Sequence, residues 1–258
     1  MMAYLSSFGT FWIFGGALYY HYYVRNRDQA ENWKCQPDRF LTPENTRHAF
    51  TLGSVNMLIG STVSGLVSSY VSNNGPSKIY YSISDMGWPY FLMSIPIFFL
   101  ACDGMSYYFH RLFHWPPFYK RIHKVHHRYH QPIIWTATAM HPIELLTLQA
   151  ALLLPVFVIP IHAGIFIGNL VYSYYYGMID HSGITMDAIW PWQPSSKFHD
   201  DHHKYFHCNI GFNSKLFDWL HGTLVRENRK YGEDVFGCKG APLEAANHNK
   251  SGKPKKIN

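Results

Sequence analysis

Formal charge is scarce in this chain, and long stretches carry none. Asp, Glu, Lys and Arg make up 15% of its 258 residues, against about 25% in an ordinary soluble domain. A paired-cysteine framework is also missing: Cys35, Cys102, Cys208 and Cys238 stand apart, with no C-x-x-C among them. That argues against a disulfide-stapled secreted module and fits reduced packing thiols on the cytosolic side. No basic stripe interleaved with aromatics occurs, so the net charge of +6 reads as attraction to anionic lipid head groups, and no nucleic-acid partner is expected. The H-E-x-x-H pattern of zinc proteases, an HPGG haem-binding segment and a dinucleotide fingerprint are all absent. Mean hydropathy is -0.15, but seventeen His and a polar final third dilute that average, so local windows decide the class.

What is present is apolar and aromatic. Phe, Trp and Tyr reach 17% of the chain, with 19 Tyr and 8 Trp, the bias of proteins whose amphipathic rings sit at membrane interfaces. Leu5 to Val24 is twenty residues without a charge, the length a bilayer core demands of a helix. Ala49 to Val71 is a second uncharged run, whose Ser, Thr, Asn and Gly predict a face packed on other helices. Trp88 to Phe109 is a third, with one acid, Asp103, near its end. Leu145 to Ile179 runs thirty-five residues without charge, which as one helix would be roughly 50 Å long against a hydrocarbon core of about 30 Å. Pro155 and Pro160 interrupt it, predicting two shorter helices that enter and return on one side.

The segment between the first two runs carries Arg25, Arg27, Lys34, Arg39 and Arg47, whereas that between the second and third carries only Lys78. The positive-inside rule places the former in the cytosol. Continuing the count sets His110 to Glu144, and everything from Asp180 onward, on the cytosolic side. The expected architecture is all-α: a polytopic membrane helical bundle with a cytosolic His-rich helical cap. Its segments are N-terminal helices and loops over 1–87, the His-rich domain over 88–224 and a polar cytosolic tail over 225–258. The chain ends KPKKIN, similar to the dilysine signal that retrieves membrane proteins to the endoplasmic reticulum.

The histidines carry the chemistry. HRLFHWPPFYKRIHKVHH, from His110 to His127, holds five in eighteen residues. His110 and His114 are four apart and share a helix face. His123, His126 and His127, and again His199, His202 and His203, recur at offsets of zero, three and four, which on a helix direct three imidazoles to one side. With His181 they make nine. Gathering nine imidazoles as cations is costly, whereas neutral rings are ready metal ligands. Imidazole suits Zn, Cu, Fe and Ni. One structural zinc needs only four ligands, so nine imply two metal ions.

HX3H, HX2HH and HX2HH behind apolar helices resemble the membrane di-iron fatty acid hydroxylase and sterol desaturase superfamily. The resemblance spans Trp88 to Leu224 and includes AMHPIE, DHSG, FHDDHHKYFHCNIGF and FDWLHGT. It implies that His110, His114, His123, His126, His127, His181, His199, His202 and His203 ligate two non-haem Fe. It also implies O2-dependent hydroxylation or desaturation of an unactivated C–H bond in a membrane lipid, a sterol first, with a sphingoid base or acyl chain as the alternative. Electrons would come from NAD(P)H through a separate reductase or cytochrome b5. Some members carry a further His where this chain has Gly177, four residues before His181; His141 is one candidate for that tenth place and water another, with the support of another ligand or a helix-start role the alternatives for His141. Readings from other classes are a metal-binding membrane scaffold without turnover and a zinc-dependent hydrolase, the latter weakened by the missing H-E-x-x-H.

Asp103 lies two helical turns before His110 and is expected to accept the free ring N–H of one of these histidines, with a local hydrogen bond to a Ser or Tyr hydroxyl the alternative. His21, His48, His162 and His248 are isolated and expected to be structural or exposed. His130, His207 and His221 lie near the cluster but outside its spacing. Asn249-Lys250-Ser251 is a glycosylation sequon, and a cytosolic C-terminus keeps it unmodified. Expression in eukaryotic cells should give a protein whose mass glycosidase treatment does not change; a glycosidase-sensitive form would reverse the orientation.

Overall fold

The computed structural model describes residues 9–243. The dilysine tail and the Asn249 sequon lie outside the described residues, as does the start of the first apolar run.

Residues 9–25 wind as one helix, α1, with π geometry over Gly9–Phe14 and Tyr20–Arg25 and α geometry over Gly15–Tyr19. The second apolar run forms α2, Pro43–Ser72, started by the Thr42 side chain accepting from the Asn45 N–H and by a proline in the first turn. The third forms α3, Gly87–Phe113. Among the described residues these two helices are long and apolar enough to cross a membrane. Leu58, Leu66, Leu92, Met93 and Ile97 stand exposed along them, an outer face suited to lipid rather than water. The chain is thus a helical membrane bundle.

The thirty-five-residue run breaks where its prolines fall. Helix α5, Pro142–Leu153, leads into a tight turn at Leu154–Phe157, and α6, Ala163–Asp180, follows. The strand β1, Ile79–Tyr80, pairs in parallel with β2, Ile161–His162, and ties this break to the loop before α3. Because α3 runs from that loop to His110, the strand pair and the histidines sit at opposite ends of the bundle. Helix α5 therefore leaves the histidine end and α6 returns to it, both their outer ends meeting at the site.

Three short helices complete the cap: α4, Pro116–Arg121, α7, Ser196–Tyr205, and α8, Leu216–His221. The segment after Leu224, read from sequence as a polar tail, folds back in its described part. There β3, Arg229–Lys230, pairs antiparallel with β4, Ala241–Pro242, Lys124 and Glu233 form a 2.6 Å ion pair, and Phe236 packs on Tyr119 and His207.

The main apolar core joins Phe11 of α1, Ala49 and Met57 of α2, Ile133 to Trp135 of the connecting loop and Met178 of α6. Gly53 of α2 makes this approach possible, since a Cβ there would lie 2.8 Å from the Trp135 carbonyl oxygen and 3.1 Å from the Phe11 ring. Gly53→Val should cost about 1–3 kcal/mol through overpacking and lower the thermal midpoint in detergent. Gly65→Ala, on the same helix with nothing within 4 Å, should not lower it.

Candidate metal centre

The eight histidines singled out by spacing and His181 come together in two groups. His110, His114, His123, His127 and His202 form one, and His126, His181, His199 and His203 the other; within each group the facing atoms all lie within 4.8 Å of one another. All nine residues are at most 3% exposed. His110 comes from the end of α3 and His114 from the residue that closes it; Pro116 and Pro117 then turn the chain. His181 closes α6.

The two triplets do not each point to one side, as the helical reading expects. His123 begins a short 3-10 turn and His126 and His127 follow it, so the first triplet is not on an α-helix. His123 and His127 go to the first group and His126 to the second. On α7 the division is reversed, with His202 in the first group and His199 and His203 in the second. The two His-His doublets thereby face each other, His127 against His202 at 4.6 Å between ring centroids and His126 against His203 at 4.7 Å.

Burial, reinforced by neighbouring imidazoles, holds His114, His123, His126, His127, His199, His202 and His203 well below the ordinary histidine range. These rings are neutral, each with one N–H and one lone pair. In the first group the proton positions follow from the acceptors. His110 Nδ1 donates to the Ile210 carbonyl at 2.6 Å, His123 Nδ1 to Glu144 Oε1 at 2.7 Å, and His202 Nδ1 to the Cys208 carbonyl at 2.7 Å. His207 donates from Nε2 to the Glu233 carbonyl at 2.8 Å, which leaves its Nδ1 as a lone pair to accept from His114 Nδ1 at 2.9 Å. Lone pairs therefore remain on the Nε2 atoms of His110, His114, His123 and His202. Three of these, on His110, His114 and His123, stand 2.9 to 3.3 Å apart with no proton between them.

The second group repeats the pattern. His181 Nδ1 donates to Asp180 Oδ1 at 2.5 Å and to the Gly177 carbonyl at 2.8 Å, and its Nε2 lies 3.2 Å from that of His126 and 3.0 Å from that of His199. Neither ring nitrogen of His127 or His203 has a hydrogen-bond partner. Converging buried lone pairs repel one another unless a cation lies between them. Imidazole bonds to a metal of about 2.1 Å place adjacent ligand nitrogens about 3.0 to 3.4 Å apart, the spacing found here. The donor set fits a metal in each group, and an all-imidazole set suits iron among others.

One sequence expectation is corrected, and of the readings left open for His141 the helix-start role is the one the structure bears out. Asp103 serves no histidine: its Oδ1 accepts from the Asn213 N–H at 3.1 Å and its Oδ2 from the Ser214 hydroxyl at 2.5 Å. It anchors the loop that brings Phe212 onto the His110 ring, 4.7 Å between centroids. His141 belongs to neither group, and its Nδ1 accepts from the Ile143 N–H at the start of α5. The acceptor role given to Asp103 falls to Glu144, which reasoning from sequence passed over. Its signal was there: an acid closing AMHPIE at the head of a long uncharged run, buried at 1% exposure.

Membrane helices that deliver buried imidazoles to two adjacent centres define a class of membrane metalloprotein. The fatty acid hydroxylase family model matches residues 95–223, half of the chain, and the chain belongs to that family. It is similar to fatty acid hydroxylase domain-containing protein 2 of Homo sapiens, 34% identical over 160 residues, 60% of this chain and 46% of that protein. It is also similar to methylsterol monooxygenase erg25A of Aspergillus fumigatus, 33% identical over 53% of this chain and 49% of the relative. Lathosterol oxidase of Mus musculus is 30% identical over 72% of this chain and 63% of its own length. The chain thus spans about half to three fifths of these relatives. No solved structure matches it significantly.

His207→Phe removes the acceptor that sets the His114 tautomer. It should weaken metal affinity about 10–100-fold in a chelator competition titration, whereas His141→Ala should leave the affinity unchanged.

Proposed function

We propose that this chain is a membrane-bound, non-haem di-iron oxidoreductase that uses O2 to hydroxylate or desaturate an unactivated C–H position of a lipid, a sterol first. The observation that carries the reading is the convergence of proton-free imidazole nitrogens on two centres at the wall of an apolar cavity. That cavity is about 790 Å³ and is lined at one end by His110, His126 and His181, a volume within the usual range for a ligand of drug or lipid size. Ile167 and Val171 also line it and are exposed on the outer face of α6, where a lipid would pass from the bilayer.

His110, His114, His123, His127 and His202 would hold one iron, and His126, His181, His199 and His203 the other. Bound there, the pair supplies the reductive activation of O2 that attack on an unactivated C–H bond demands. The chain's own contribution is placement. Glu144, Asp180, His207 and the carbonyls of Ile210 and Cys208 fix ring orientations, the apolar walls align the lipid, and burial keeps water from the reacting carbon. The family resemblance and the names of the sterol-oxidising relatives support this reading. Electrons would arrive from NAD(P)H through a separate reductase or cytochrome b5. Loop charge supports a multi-pass chain with the histidine end and the C-terminus in the cytosol, the side on which such a donor would dock, and the endoplasmic reticulum membrane is the proposed location.

His202→Ala and His126→Ala, one from each group, should abolish O2-dependent lipid oxidation and lower iron bound to anaerobically prepared protein. His21→Ala, at an exposed position, should change neither. Turnover that persists without O2 in a zinc-loaded protein would overturn the proposal.

A further inference from the structure

Loop charge assigns the segment between α6 and α7 to the cytosol, yet the structure carries it back along the helices. Its neck is closed: the Ser196 N–H donates to the Met186 carbonyl at 3.1 Å and the Met186 N–H to the Ser196 hydroxyl at 2.9 Å. The residues between, DAIWPWQPS at 187–195, form a compact loop of the Ω kind. From the neck the loop runs toward the opposite end of the bundle. Tyr176 of α6 donates its hydroxyl to the Pro194 carbonyl at 2.6 Å. The Trp192 ring reaches Phe99 of α3, 6.2 Å between centroids, and Phe99 in turn packs on Tyr172 of α6 at 6.1 Å. Phe99 lies eleven residues before His110, about 16 Å along the helix.

Helix α3 has 27 residues, about 40 Å of rise, of which a hydrocarbon core of about 30 Å takes about twenty. With Gly87 at the far boundary of the core and all of the excess on the histidine side, Phe99 is still about 12 Å inside the near boundary. The loop meets it on the outside of the bundle. Ile95, one turn from Phe99 on the same face of α3, is 44% exposed, and Ile189, Trp190 and Trp192 are 66%, 49% and 50% exposed, the two indoles stacked 5.6 Å apart. Irregular backbone at such depth must have its polar groups satisfied, and this loop has few to satisfy. Pro191 and Pro194 carry no N–H, the Gln193 N–H donates to the Trp190 carbonyl at 3.1 Å, and Tyr176 serves the Pro194 carbonyl. The one charge of the loop, Asp187, stands beside the neck. We propose that loop 187–195 is a membrane wedge whose partner is the acyl-chain layer of the leaflet on the histidine side, with Ile189, Trp190 and Trp192 in hydrocarbon. The wedge continues the lipid-facing surface of α3. Because the loop joins His181 to His199, it fixes the height at which the second histidine group stands relative to the lipid, whatever reaction takes place there.

Depth-dependent quenching tests this on the full chain in phosphatidylcholine vesicles. Cys35→Ser leaves three buried cysteines, and an environment-sensitive thiol-reactive fluorophore is then attached at Ile189→Cys. Glu227→Cys, at an exposed position after α8, is the control. The quenchers are a nitroxide midway along the lipid acyl chain, a nitroxide on the lipid head group, and aqueous iodide. The label at 189 should be quenched most by the acyl-chain nitroxide and lose its quenching by iodide, whereas the label at 227 should show the reverse. Should Ile189→Cys fail to fold, Ala188→Cys, the neighbouring exposed position, takes its place with the same expected result. Quenching of the loop label chiefly by iodide, or as strongly by the head-group nitroxide as by the acyl-chain one, overturns the inference. Protection from all three quenchers overturns it as well, since a second copy or another protein would then cover the loop.

Discussion

Lone pairs of neutral imidazoles aimed at one another in a dry interior are the constraint around which this structure is arranged. Such a cluster is repulsive by itself, and the groups that accept the opposite N–H of several of its rings help to hold it in place. Those acceptors come from distant parts of the chain: Ile210 and Cys208 from the loop after α7, Glu144 from the head of α5, and Asp180 and Gly177 from the end of α6. The His114–His207–Glu233 relay draws in the segment after Leu224 as well. A stretch that looks like a polar tail in composition is thereby part of the wall of the site.

What was legible in the sequence was the set of groups whose spacing or length carries a physical signal. Eight imidazoles at recurring offsets announced themselves, and with His181 they occupy both groups. Pro155 and Pro160 marked the break between α5 and α6, because no helix continues undisturbed through two prolines and no single helix of that length matches a bilayer. The sequence could not show how the rings are shared. Offsets of zero, three and four put rings on one face only where the backbone is α-helical, and His123–Val125 is wound more tightly than that. Even on α7 the three rings fan widely enough to serve two centres. Backbone carbonyls, which help to orient His110, His181 and His202, leave no trace in the side-chain pattern. Asp103 shows the opposite failure. Its spacing from His110 suggested a shared face, but a carboxylate deep in an apolar helix goes to the nearest strong donors, here the Asn213 N–H and the Ser214 hydroxyl.

The division of each triplet has a structural consequence that one-sided triplets would not. His126 and His127 are neighbours in sequence yet belong to different groups, and so are His202 and His203. Each doublet spans both centres, and the doublets face each other ring against ring. The separation of the two centres is therefore set by the backbone at two independent places instead of by long side chains. If each group holds a metal as proposed, a fixed separation between the two is required, and cross-bracing by two buried peptide segments would provide it at little entropic cost. The arrangement also explains why the site lies at the mouth of the bundle. Rings from α3, α6 and α7 can meet only where those helices end, and those ends are where the cavity between α2, α5 and α6 reaches the histidines.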